Sequence, residues 1–361
     1  MGQSDSLSHG IAADRTYSVH GPRPQRISCS STVPTQGTAK QGLPDSRLSL
    51  FRAGPRGDET LRQVAAMALI ASLGFFIAAE IRVSSQVMPP IVDLHFHPQP
   101  GWDLNALVSL MDQLGVARAG NGPAGPDSLG LGFAARYPNK FIPFCGLGEI
   151  IFHLQQGGPA AWDLQTDRML AYLGRLEQGL RSKHCKGIGE VYPNNLRTHG
   201  SRTELRSRYP ADSPLMRRLF AFSATFGVPL DVHMEADPPA VAELERLLES
   251  NARGTLVWAH CGNFAPTSLL KSMFQRHSNL LCDLVRQIAV GTELLPDWKD
   301  LLEELPDRFV LGTDLSEPNL NQYSGVIMYW RAILNQLTPQ TVEKVAYKNA
   351  ERIMNLPPLG R

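Results

Sequence analysis

The chain has 361 residues, 43% hydrophobic and 19% charged, and its 35 Lys and Arg against 34 Asp and Glu leave a formal net charge of +1. That balance excludes a polyanion binder held by bulk charge, and the hydrophobic content excludes disorder throughout or a collagen-like fibre. The low charged fraction, against about 25% in ordinary soluble domains, fits much buried parallel sheet.

Composition changes along the chain. Of residues 1 to 60, 26 are Gly, Pro, Ser or Thr, and no helical or strand periodicity is sustained, so residues 1–62 read as a disordered extension. The 17 residues Gln63 to Ala79 carry no charge and follow Arg52, Arg56 and Arg62. A short apolar run behind a positive flank, with Val83-Ser84-Ser85 as a small-residue cleavage site, reads as a signal peptide or membrane anchor over 63–88. This places the barrel in the periplasm, outside the cell or on a membrane, through export machinery. Translation from Met88 would instead leave a complete cytoplasmic barrel.

Residues 89–361 alternate short apolar runs with amphipathic stretches. Strands are predicted at Ile91 to His97, Ala117 to Asn121, Phe141 to Leu147, Gly187 to Tyr192, Pro229 to Glu235, Thr255 to His260, Leu280 to Leu284 and Phe309 to Asp314. Between them, Leu104 to Leu114, Asp167 to Leu180, Pro214 to Phe226, Ala240 to Leu248 and Pro266 to Arg276 repeat apolar residues every three or four positions, as helices do. Eight such rounds in about 250 residues predict one α/β domain, a (β/α)8 TIM barrel. No glycine-rich phosphate loop follows a strand, which argues against a doubly wound open sheet. Pro339 to Asn355 reads as a closing helix.

The five cysteines, Cys29, Cys145, Cys185, Cys261 and Cys282, are widely spaced, with no C-x-x-C pair. They are expected to be small buried hydrophobes rather than a disulfide framework, a zinc knot or a nucleophile.

In a barrel of this kind, chemistry sits at the carboxyl ends of the strands. There the first strand carries His95 and His97, which alternation turns the same way. The fourth strand ends in Glu190, a carboxylate costly to bury without a cation. The fifth carries His233 between Asp231 and Glu235, the sixth ends in His260 and the eighth in Asp314. Five strand ends bearing imidazole or carboxylate point to a divalent metal site of one or two ions, in a donor mixture that suits zinc first, then manganese, iron or nickel.

This ordered set resembles the amidohydrolase superfamily of metal-dependent hydrolases over residues 91 to about 356. Val257-Trp258-Ala259-His260-Cys261-Gly262 and Val345-Ala346-Tyr347-Lys348-Asn349-Ala350 are similar to the amidohydrolase-related branch, whereas Gly189-Glu190 is similar to the TatD-like branch. The resemblance implies that His95, His97 and Asp314 hold a buried ion, that His233 and His260 hold a second, and that Glu190 replaces the modified lysine bridging the two in many members. It implies hydrolysis of an amide, ester or lactone of a small molecule, with Asp314 as the acid and base on metal-activated water. In a one-ion alternative, the resemblance implies that His95, His97, His233 and Asp314 bind the metal while His260 is a free catalytic acid or base.

Trp102, Asn194, Arg197 and Arg286, in loops after the strands, are candidates for substrate binding, the arginines as clamps for an anionic group. The rival activities are a metal-dependent decarboxylase of the same branch and a TatD-like nuclease. Near-zero charge and the lack of a basic stripe argue against a nucleic-acid partner. A barrel without turnover would leave the ligand set without a use, and a homo-oligomer is compatible with the sequence.

Overall fold

The computed structural model describes residues 88–359 apart from 124, 198–206, 264, 285–287 and 317–319. The expected disordered extension, the apolar segment up to residue 87 and Cys29 lie outside the described residues, as does Arg286. Among the described residues no helix is long and apolar enough to cross a membrane.

Eight strands form the barrel: β1 (Ile91–Asp93), β2 (Val116–Asn121), β3 (Phe141–Gly146), β4 (Gly187–Asn195), β5 (Pro229–Met234), β6 (Thr255–Ala259), β7 (Leu280–Leu284) and β8 (Phe309–Leu311). Each pairs in parallel with the next, and β8 pairs with β1 through Leu311 and Asp93, which closes the ring. The TIM barrel predicted from the alternation is the fold observed.

The crossovers are α1 (Leu104–Leu114), α2 (Asp127–Arg136), α3 (Leu147–Gly157), α4 (Pro159–Trp162), α5 (Asp167–Arg181), α6 (Pro214–Phe226), α7 (Pro238–Ser250), α8 (Thr267–Arg276) and α9 (Pro296–Glu304), and α10 (Asn321–Leu334) follows β8. Local signals fix their ends. Asp103 caps α1 by accepting from the backbone N–H groups of Asn105 and Ala106, and Gly115 ends it in the left-handed region at φ 68°. Ser213 caps α6 by accepting from Met216 N–H. The closing helix spans 339–354 and includes a π turn, Lys344–Lys348.

Strand ends differ from the prediction where the ionisable residues begin. β1 leaves the ladder after Asp93 because that carboxylate takes the Thr313 N–H at 3.0 Å, the Thr313 hydroxyl at 2.7 Å and the Tyr323 hydroxyl at 3.0 Å. The chains after β1 and β8 stay together through Asp314 N–H to His95 carbonyl, 2.7 Å. A Cβ on Gly312 would sit 2.4 Å from the His95 Cβ, so only glycine allows this approach. β6 likewise stops at Ala259, and His260–Gly262 forms a 3-10 turn.

The cysteine expectation is corrected. Cys145 is bonded to Cys185, and Cys261 to Cys282. Their separations of 40 and 21 residues hid the pairing; β3 pairs with β4 and β6 with β7, which brings each pair of cysteines together, with Cα atoms 5.6 and 4.9 Å apart.

Candidate metal centre

The carboxyl ends of β1, β4, β6 and β8 deliver five of the six expected ligands to one point. His95 Nε2 and His97 Nε2 lie 3.0 Å apart. Glu190 Oε2 is 3.4 Å from the first and 3.5 Å from the second, and Asp314 Oδ1 is 3.6 and 3.4 Å from them. His260 Nε2 approaches from the far side, 3.4 Å from Glu190 Oε1 and 3.9 Å from Asp314 Oδ2. All but Asp314 are buried; its side chain is 39% exposed and forms the mouth of the cluster. His260 and Asp314 take positive φ, 56° and 52°, a backbone state that non-glycine residues hold only when their surroundings enforce it.

The tautomers show why this cluster calls for a cation. His95 Nδ1 faces Asp283 Oδ2 at 2.6 Å and His97 Nδ1 faces the Gly122 carbonyl at 2.9 Å. Both partners are acceptors, so each Nδ1 carries its proton and each neutral ring turns a lone pair inward from Nε2. Two such lone pairs 3.0 Å apart, beside two carboxylates, repel unless a positive charge lies among them. The residues therefore fit a divalent metal.

Protonation of the metal-free rings follows the same logic. Burial pulls His95 down, but Asp283 and Glu190 outweigh it and raise the ring well above its ordinary value. His97, against its burial, is pushed up to about 9 by Asp314 and Glu190. Burial also lowers His260, and Glu190 with Asp314 reverses this to a net rise. Burial opposes the charge on Glu190, yet His95 and His233 hold its carboxyl well below the usual range. Asp314 is likewise held down, its burial outweighed by His97, His260 and His95.

His233 is placed differently from the other five. Its Nδ1 lies 2.9 Å from Glu190 Oε1, and its Nε2 lies 3.1 Å from the Asn263 amide nitrogen. Donating from one nitrogen and accepting at the other, the ring orients Glu190. Burial lowers its pKa, consistent with a neutral ring.

Residues that sequence reasoning passed over complete the support. Asp283 holds His95 through Oδ2 and accepts the His260 N–H through Oδ1 at 2.7 Å. It is an acid inside the apolar run Leu280–Leu284, the same signal that singled out Glu190. Tyr192 donates to Glu190 Oε2 at 2.8 Å. Asp231, pushed up to about 8 by burial, accepts from the Asn121 amide, which bonds in turn to Gly122 N–H beneath His97. A Cβ on Gly122 would come 2.0 Å from the Gly189 carbonyl oxygen, so this support also depends on a glycine.

Of the substrate candidates, Trp102, Asn194 and Arg197 are among the described residues, and each has partners of its own. Trp102 packs its partly buried ring on Phe96 and Phe133, with centroids 5.3 and 6.5 Å away. The Asn194 amide donates to the Glu235 carbonyl and to Asp237. The Arg197 guanidinium pairs with Glu235 at 3.1 Å and Asp237 at 3.2 Å, so its charge is already matched.

Solved structures share the fold. An uncharacterised TIM-barrel protein from Bordetella bronchiseptica is 16% identical, with a TM-score of 0.51 over 74% of this chain and 98% of its own. A 2,6-dihydroxybenzoate decarboxylase bound to 2,6-dihydroxybenzoate is 15% identical, with a TM-score of 0.50 over 74% of this chain and 100% of its own. No curated protein matches the sequence. The amidohydrolase family model Amidohydro_2 matches residues 92–356, a span containing the whole ligand cluster, and the chain belongs to that family of enzymes.

Proposed function

We propose that the protein is a one-metal lyase that removes carbon dioxide from a small organic acid. The observation that carries this reading is the use of the donors. Among the described residues, every group of three that could hold an ion contains His95, and none contains His233, whose ring nitrogens face Glu190 and Asn263. With His233 engaged in holding Glu190, the use of the donors favours one ion over two. The solved decarboxylase of the same fold adds its support.

His95, His97, Glu190 and Asp314 would hold the ion, with zinc the first expectation for nitrogen and oxygen donors together. When bound, a divalent ion would supply positive charge that fixes an acidic substrate and stabilises the electron pair left on carbon as carbon dioxide departs. The chain's own residues do the rest. His260, kept at the edge of the cluster by Asp283, delivers a proton to the carbon that loses carbon dioxide, and the half-exposed Asp314 faces the incoming substrate. Glu190, held by His233 and Tyr192, keeps the centre oriented. The two disulfides support an oxidising compartment, in line with export.

Hydrolysis of an amide, ester or lactone is the second reading. It is favoured by the way Glu190 turns Oε2 to His95 and His97 and Oε1 to His233 and His260, as a bridge between two ions would. Carbon dioxide release from a panel of small organic acids, beside hydrolysis of small amides, esters and lactones, separates the two. The lyase reading expects carbon dioxide from wild type and a loss of about 100-fold or more in His260→Asn, as for a removed general acid. Hydrolysis alone, with two ions per chain, would overturn it.

A further inference from the structure

Where α5 gives way to β4, the sequence carries basic side chains and no acid: Arg181, Lys183, His184 and Lys186. The backbone there is tied down. Lys183 N–H donates to the Leu180 carbonyl at 3.0 Å, Cys185 N–H to the Gly179 carbonyl at 3.1 Å and Lys186 N–H to the Pro143 carbonyl at 2.8 Å, while Cys185 is bonded to Cys145 on β3. Lys183 takes a φ of 61° just past the end of α5, a left-handed state that glycine or asparagine usually occupies. A lysine in that place strains the backbone and brings a charge.

Lys183, His184 and Lys186 line a cavity of about 480 Å³ whose other walls include Leu131 from α2 and Phe141 and Pro143 from β3. No carboxylate lines it. Among the described residues neither the Lys183 nor the Lys186 ammonium is paired with an acid, whereas Arg181 is taken by Glu177 and Lys140, between α2 and β3, by Asp112. Phe141 opens β3 and Lys186 precedes β4, so the cavity lies at the amino end of the barrel, opposite the His95 cluster.

We propose that this cavity is a second binding site, for a small amphiphilic anion with a carboxylate head and an apolar chain. The two unmatched ammonium groups meet the head, and the apolar wall takes the chain. A neutral molecule would leave the charges unmatched, and an inorganic anion would leave the wall to water. The volume falls within the range of small-ligand sites, roughly 300–1,000 Å³, and a backbone already fixed leaves little ordering to oppose binding. The assignment goes beyond the lyase reading and does not depend on it.

The test is calorimetric titration of octanoate into the full chain carrying its metal. Saturable binding is expected, about fourfold tighter than heptanoate, the worth of one buried methylene. Octan-1-ol, which lacks the charge, should bind about 5-fold more weakly or worse, and so should octanoate to the double variant Lys183→Gly with Lys186→Gln. Glycine suits the φ of Lys183, so that variant should fold at least as stably as wild type. Ala135→Trp, which fills the cavity from an exposed position on α2, should abolish binding, and His95→Ala should leave it intact. No saturable binding, equal binding of octan-1-ol, or binding unchanged in the cavity variants would overturn the assignment. So would its loss in His95→Ala, which would put the head on the metal, or attachment to phosphatidylglycerol vesicles without binding of free octanoate, which would make this face a membrane contact.

Discussion

At the scale of single residues the centre depends on Asp283 as much as on the ligands. One carboxylate fixes the His95 tautomer and holds the His260 backbone, so two strand ends are aligned by one side chain. Such outer partners of ligating histidines are worth about 10- to 100-fold in metal affinity. Asp283→Asn should lower affinity by that factor in a chelator competition, with the fold retained; unchanged affinity would show that His95 is oriented by something else. The raised His97 makes a second prediction. Its folded pKa of about 9 lies above the ordinary value of about 6.5. Protonation thus stabilises the metal-free fold fully below about pH 6.5, and the contribution is lost as pH rises through 9. Thermal melts with chelator present should show falling stability from pH 7 to 9.5, while metal affinity rises over that range as the competing proton leaves. Melting and affinity that stay flat would contradict this account of His97.

Among the elements, the turn after β6 needs a restraint. His260, Cys261 and Asn263 all take positive φ, and the bond from Cys261 to Cys282 on β7 ties this turn beside Asp283. A cross-link closing about 20 residues contributes on the order of 3 kcal/mol. Cys282→Ser should therefore reduce unfolding free energy by about 2–4 kcal/mol in denaturant titrations and slow carbon dioxide release as the proton donor His260 loosens. A variant as stable as wild type would mean that the turn is held by its hydrogen bonds alone. The helices were legible in the sequence because apolar spacing and end signals are local: α1 and α6 run as predicted, Leu104–Leu114 and Pro214–Phe226. The ends of β1, β6 and β8 were not. There the chain leaves the ladder to meet side chains such as Asp93 and Asp283, whose partners lie 220 and 23 residues away. Both disulfides were hidden for the same reason.

For the whole molecule, the (β/α)8 barrel explains why distant histidines and carboxylates meet, since parallel strands bring all their carboxyl ends to one rim. Reading strand-end chemistry was enough to find His95, His97, Glu190, His260 and Asp314, which the fold gathers at one point. His233 shares the strand-end pattern, but its ring nitrogens face Glu190 and Asn263, and only the assembled barrel reveals those neighbours. Arg197 likewise looked available until Glu235 and Asp237 were seen to hold it. The most direct test of the central claim, a single centre built around His95, is metal analysis of the purified full chain and of His95→Ala. About one divalent ion per chain in wild type, lost from a folded His95→Ala, is the predicted result; two ions per chain, or an ion retained without His95, would contradict it.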